Sequence, residues 1–326
     1  MEPIFDDKLL RSVKSNQVDK VSKLLMLGGF DVNCRYISQP TLLHLAVLEN
    51  SLAMVRVLLR YGATVDVDDD HGYTALHRAI EIENLDIVDV LLDAGASLDP
   101  THAGITALQI AVVYDKKHKN LDELLSRGAD IDAHAEHSLT ALMWAIRTGK
   151  RAVAYRLLYD GANIHKQTDR GNTALHLAAK YGFISVMDEL LECGAKLEQK
   201  DCGGMTAMAI AVVSNQYNTV RFLVGHGASM TTEDCCGDTA LTIAVVNDQS
   251  DMVKLLIGLG CDVSAMVNLC PRKVTLLHLA VEEKKWRTVQ VLIDCGADIY
   301  ATLEDGTSVL DMTTDSITLQ VVLNAM

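Results

Sequence analysis

The sequence predicts an all-α solenoid of stacked helix-turn-helix units. Three observations lead there. A short threonine-led motif recurs nine times, at spacings of 33, 32, 34, 33, 33, 33, 36 and 33 residues. A second motif, most often a Leu-Leu or Leu-Ile pair, two residues and Gly, runs in phase with it. Its Gly falls 21 residues after the threonine in seven of eight full repeats, with Gly128 at 22. Finally, aromatic residues make up only 5 % of the 326 residues, which suits thin layers filled by Leu, Ala, Val and Ile better than one large core.

Taken in order, residues 6–30 read as a helix pair with an acidic start, Asp6-Asp7, and an ending in Leu24-Leu25-Met26-Leu27-Gly28. The motif then opens as Thr41-Leu42-Leu43-His44 and returns from Thr74, Thr106, Thr140, Thr173, Thr206, Thr239 and Thr275, with a degraded Ser308-Val309-Leu310-Asp311 last. Each threonine is placed to cap a helix by offering its hydroxyl to free backbone N–H groups. Ala-rich turns such as Leu175-His176-Leu177-Ala178-Ala179 let neighbouring helices approach closely. In the second helix, Val55, Leu58 and Leu59, or Val186, Leu190 and Leu191, supply a buried stripe at helical spacing. Gly62, Gly95, Gly128, Gly161, Gly194, Gly227, Gly260 and Gly296 then stop that helix. Counting 21 from Ser308 puts the last stop glycine beyond Met326, so the tenth unit is expected to finish inside its own second helix.

The 33-residue period with Thr-x-Leu-His-x-Ala opening the first helix resembles the ankyrin repeat, over the whole chain. The resemblance implies two antiparallel helices and an extended hairpin loop per unit. It divides the chain into one repeat domain: a capping repeat at 1–33, internal repeats at 34–66, 67–99, 100–132, 133–165, 166–198, 199–231, 232–264 and 265–300, and a truncated cap at 301–326. No stretch is left over for a second domain. A single helix pair cannot bury its apolar faces alone, so stability must come from stacking.

Asp and Glu outnumber Lys and Arg by 43 to 29, a formal charge of −14 that repels phosphate backbones and anionic lipid. Nucleic acid is therefore not the expected partner. Residues 1–7 lack the basic and apolar segments of a secretory signal, and no apolar run reaches the roughly 18 residues of a membrane span, so the expected location is the cytoplasm, with the nucleus open to it. The eight cysteines lack the framework of a secreted domain and read as reduced thiols.

No catalytic or phosphate-binding motif stands in the sequence, so no enzyme, cofactor or metal is expected. His44, His77, His176 and His278 recur at one repeat position, where the resemblance implies a structural ring bonded to hairpin backbone. Asp66-Val67-Asp68-Asp69-Asp70 lacks the alternation of a calcium loop and reads as a solvated hairpin tip. Leu25 followed by Asp31-Val32-Asn33 resembles the pattern in which the hairpin asparagine of ankyrin repeats is hydroxylated, with Asn33 the modified residue.

The resemblance further implies binding of a protein or peptide through hairpin tips and the exposed side of the first helix, which together line a concave groove. Those positions hold Tyr73, Ile105, Tyr114, Leu139, Tyr181 and Met205, with Arg147, Arg170 and Lys180 among them. Tyr and Arg on a rigid scaffold anchor interfaces. The expectation is a monomeric scaffold or adaptor. The alternative is a regulatory or substrate-recognition region of a larger protein, such as a channel or a ubiquitin-ligase complex.

Overall fold

A computed structural model describes residues 7–34, 40–98, 104–116, 119–134, 136–269 and 272–326, so Asp6 and Cys270 lie outside the described residues. The fold is all-α, built of stacked helix pairs joined by hairpin loops, and it forms two compact units, Met1–Lys166 and Gln167–Met326. In the first unit the pairs are α1 (Asp7–Lys14) with α2 (Val18–Met26), α3 (Leu42–Leu48) with α4 (Leu52–Arg60), α5 (Ala75–Glu81) with α6 (Leu85–Asp93), α7 (Ala107–Tyr114) with α8 (Lys119–Ser126), and α9 (Ala141–Arg147) with α10 (Arg151–Tyr159). The second unit has α11 (Ala174–Tyr181) with α12 (Ile184–Glu192), α13 (Ala207–Val213) with α14 (Tyr217–Gly225), and α15 (Ala240–Val246) with α16 (Ser250–Gly258). A two-stranded sheet of β1 (Met266–Leu269) and β2 (Arg272–Thr275) follows, then α17 (Leu276–Glu282) with α18 (Trp286–Asp294), and α19 (Ser316–Ala325). No described helix is long and apolar enough to cross a membrane.

The caps sit where the threonines predict them. The hydroxyls of Thr41, Thr74, Thr106 and Thr140 accept from the backbone N–H three residues on, as do those of Thr206, Thr239 and Thr275. In the second helices one leucine per repeat is fully buried: Leu58, Leu91, Leu124 and Leu157 in the first unit, and Leu190, Leu223, Leu256 and Leu292 in the second. The following residue is not part of that stripe. Leu59 and Leu191 are only half-buried, because a turn of about 100° per residue carries them off the packed face. First helices meet through alanines with almost no exposure, Ala46, Ala79, Ala111 and Ala145 in one unit and Ala178, Ala211, Ala244 and Ala280 in the other.

Hydrogen bonds from one repeat to the next reinforce the apolar layers. The Nε2 of His44 donates to the Tyr73 carbonyl (2.9 Å), and that of His176 to the Met205 carbonyl (3.2 Å). The tautomer of His176 follows from its other nitrogen, since Nδ1 accepts from the Thr173 N–H at 3.1 Å. His77 and His278 approach the backbones of Ile105 and Thr307 outside strict hydrogen-bond geometry. Gln109 does the same work without a ring: Oε1 accepts from the Thr106 N–H (3.0 Å) and Nε2 donates to the Leu139 carbonyl (2.6 Å). All four recurring histidines are interior groups, and His44 and His176 bond the next hairpin's backbone as the resemblance implied, whereas the Nε2 of His77 and His278 does not.

At the hairpin tips the backbones themselves touch. Cys202 N–H donates to the Arg170 carbonyl (2.9 Å) and Cys235 N–H to the Gly203 carbonyl (3.0 Å). Gly204, at φ +75, brings its Cα so close that an added Cβ would stand 2.6 Å from the Cys235 nitrogen. Gly227, at φ +85, has nothing within 4 Å of an added Cβ. Gly227→Ala is therefore expected to cost the left-handed strain alone, about 1–2 kcal/mol. Gly204→Ala should lower the unfolding free energy further, because it also forces the two tips apart. Paired thermal unfolding of the two variants checks this; equal losses would remove the role assigned to the tip contact.

Two segments depart from the expected pattern. The 36-residue spacing before Thr275 is taken up by the β1–β2 hairpin, in register from Met266 opposite Thr275 to Leu269 opposite Arg272. Its inward residues Val267 and Val274 are buried. The tenth unit has only one helix. Residues after Ser308 form turns, with the Ser308 N–H and hydroxyl both bonded to the Asp311 carboxylate, and the β-branched Thr313 and Thr314 do not extend them into a helix.

Candidate partner-binding face

In the first unit, the tip before α5 is organised by a carboxylate. Asp69 Oδ1 accepts from the His71 N–H (2.9 Å) and the Tyr73 N–H (3.0 Å), while Oδ2 takes two bonds from the Arg78 guanidinium at 2.7 and 2.8 Å. Asp69 is therefore not a solvated tip residue; its side chain is 6 % exposed. Burial pushes its carboxyl up, yet the N–H donors of Tyr73 and His71 and the charge of Arg78 outweigh that, and it ends below the usual carboxylate range. Arg78 also bonds Glu81 at 2.7 Å and lies 4.5 Å over the Tyr73 ring. Tyr73 is consequently half-buried and held in place. Burial raises its hydroxyl pKa, and the nearby Tyr114 hydroxyl adds to the shift, so these two tyrosines are brought within electrostatic reach.

Tyr114, ending α7, is 38 % exposed, and Ile105 is half-buried. Leu139 is not a surface residue. At 4 % exposure it is packed inside, where an apolar side chain gains more than in water, and its carbonyl is held by Gln109. Arg147 is exposed, with its guanidinium 3.9 Å over the Trp144 ring. Trp144 is a residue the sequence reading missed. Its position three before Arg147 on one helix face was the available signal.

In the second unit, Arg170 and Lys180 are exposed, and each lends its carbonyl to the next repeat, Arg170 to Cys202 N–H and Lys180 to Gln216 Nε2 (3.2 Å). Tyr181 is half-buried and stacks on Phe183 with ring centroids 6.1 Å apart, while Lys180 Nζ lies 5.7 Å from its ring. Met205 is half-buried, its carbonyl taken by His176. Two further residues went unnoticed in the sequence, Val213 at 47 % and Val246 at 41 % exposure.

Asn33 sits between hairpins in the first unit. Its Oδ1 accepts from the Thr64 N–H (2.7 Å) and its Nδ2 donates to the Gly62 carbonyl (3.0 Å). Asp66 and Asp132 stand one and three repeats on, and each carboxylate accepts one N–H from the following hairpin, from Ser97 and Asn163. Among the described residues no group of three or more His, Cys, Asp or Glu is arranged to hold a metal ion. Seven described cysteines carry free thiols, Cys235 and Cys236 with sulfurs 3.9 Å apart. The clefts between second helices are open. One of about 460 Å³ is lined by Asp122, Ile131, Arg156 and Asp160, where both carboxylates already bond Arg156.

A family model described as ankyrin repeats in three copies matches residues 9–102, 142–234 and 227–302. Among solved structures, the crystal structure of the ankyrin repeat domain of Bcl-3, described as a unique member of the IkappaB protein family, is 31 % identical with a TM-score of 0.61. The match covers 68 % of this chain and 99 % of that one. A comparison with curated protein sequences returns no match.

Proposed function

Because the chain belongs to the ankyrin-repeat family, we propose that it is a protein-interaction domain in which the outward side of the first helices, with the hairpin tips, holds a segment of a partner protein. Ankyrin repeats are protein-interaction modules, and the likeness to the ankyrin repeat domain of Bcl-3 supports a role of that kind. One observation carries the reading: large apolar and aromatic side chains of the first helices stay exposed or half-exposed. These are Tyr114 and the Trp144–Arg147 stack in the first unit, and Tyr181, Val213 and Val246 in the second. The scaffold around them supports rigid presentation, since Arg78 and its two carboxylates clamp Tyr73 and the Phe183 ring backs Tyr181.

Tyr114→Ala combined with Tyr181→Ala is expected to reduce capture of cellular partners to a small fraction of the parent, measured by quantitative mass spectrometry, with helicity unchanged in circular dichroism. Tyr159→Ala, which truncates an 89 % exposed ring on a second helix, should leave capture as it was. Equal capture by all three proteins would overturn the proposal.

A further inference from the structure

Helices α13 and α15 have no polar outer side. Their sequences, Ala-Met-Ala-Ile-Ala-Val-Val and Ala-Leu-Thr-Ile-Ala-Val-Val, carry no charge, and the single polar residue, Thr242, is 3 % exposed. A short surface helix ordinarily shows polar groups to water. Here the residues that remain exposed are Val213 and Val246, and Ile210 and Ile243, one turn before them on the same side, are buried beneath. On α11 the equivalent residues are Leu177 and Lys180, with Tyr181 beside them. Since α11 packs on α13 and α13 on α15, the apolar residues form a row across three helices of the second unit. Lys180 bounds it at one end, and Glu282, bonded to Arg272, at the other.

Asp238 flanks the row at its hairpin side. It occupies the position before the capping threonine, the register that in the first unit sets Tyr73 against Arg78, the place that Ile243 takes in this repeat. Its side chain is half-buried and makes no hydrogen bond or ion pair with a described residue, whereas Asp234 accepts both the Cys236 and the Asp238 N–H. Burial, and then the charge of Asp234, raise the Asp238 pKa. A cation supplied from outside would relieve both. The unit around it holds 20 Asp and Glu against 11 Lys and Arg.

Adjacent packed helices lie ~8–10 Å apart. A β-strand presents alternate residues to one face, so side chains three apart point opposite ways. A polyproline II segment turns once in three residues and rises about 9 Å per turn, so every third side chain meets the next helix. We propose that the row across α11, α13 and α15 takes a partner segment in the polyproline II conformation, with two apolar side chains three residues apart and a lysine or arginine that pairs with Asp238. This rests on the partner-binding reading above and names the chemistry of one part of that face.

The test uses the full chain and a fluorescein-labelled synthetic nonapeptide with Leu at its third and sixth positions, Pro at the fourth and Lys at the seventh, followed by fluorescence anisotropy. Binding is expected to weaken about ten-fold or more when the Lys is exchanged for Glu, and likewise when the two Leu are set two residues apart. Val213→Gln with Val246→Gln should weaken it about as much without loss of helicity, and Asp238→Asn should abolish the preference for Lys over Glu. Failure of the parent peptide to bind, equal binding of the Glu peptide, or binding indifferent to the two valines overturns the proposal. If the peptide binds but only Tyr114→Ala weakens it, this assignment fails while the partner-binding reading stands; partner capture by the Tyr114 and Tyr181 double variant decides that reading separately.

Discussion

Leu91→Ala is expected to destabilise the chain by about 2–5 kcal/mol, the range for removing a fully buried leucine whose surroundings collapse only in part. Leu91 has no exposed surface, and it shares the interior of its repeat with Ile87 and Val88, which are equally enclosed. The layer is only two helices thick. A void there has no other core to relax into, and α4 and α8 of the flanking repeats, which pack on α6, lose support at once. Leu92→Ala supplies the contrast. One residue along the same helix, Leu92 is half-buried, and its truncation should cost roughly a third as much or less. Urea unfolding of the two variants beside the parent measures both. Equal losses at the two positions would mean that the stripe has been assigned to the wrong residue.

Acid is expected to weaken the fold between pH 6.5 and about 4, through histidines held neutral in the interior. Burial lowers the pKa of His44 and His77 in the first unit and of His176 and His278 in the second, and for His77 the value falls from 6.5 to about 4. A pKa depressed in the folded state has a definite sign. Above pH 6.5 neither state binds the proton and stability is at its full value. As pH falls below 6.5 the unfolded chain binds a proton that the folded chain refuses, so stability is lost until the pH passes the folded value. For His77 alone the shift corresponds to about 3 kcal/mol. Gln109 shows that an amide can serve at this position, so His77→Gln should hold most of the stability at pH 7.5 and lose less than the parent at pH 4.5. Chemical denaturation at the two pH values reads the difference directly. Parallel pH profiles for parent and variant would refute the buried neutral ring.

Much of the fold was legible because its signals are local. A threonine caps the helix that begins beside it, and a glycine stops the helix that ends on it, so the period and most of the helix boundaries could be read from single turns. The tenth unit shows the limit of that reading: Ser308 kept the motif, but the residues behind it formed turns instead of a first helix. The candidate face was legible in outline and wrong in detail. Position within the repeat located Tyr114, Arg147 and Lys180 on the surface, but the same rule sent Leu139 there too, and only the stacked repeats show that it is inside. Val213 and Val246 went unremarked because valine in a helix of an apolar layer reads as core until the neighbouring helices are in place.

By itself, then, the sequence determined the repeat, the caps and stops of its helices, and membership of the ankyrin family. Only the tertiary structure decided which leucine of each pair is enclosed, that Asp69 leaves solvent to hold Arg78, and which side chains of the first helices remain uncovered. The reason is physical. Capping and helix termination act within one turn of chain, whereas burial and the bonds from His44 to Tyr73 or Gln109 to Leu139 depend on a neighbour 29 or 30 residues away that arrives only when repeats stack.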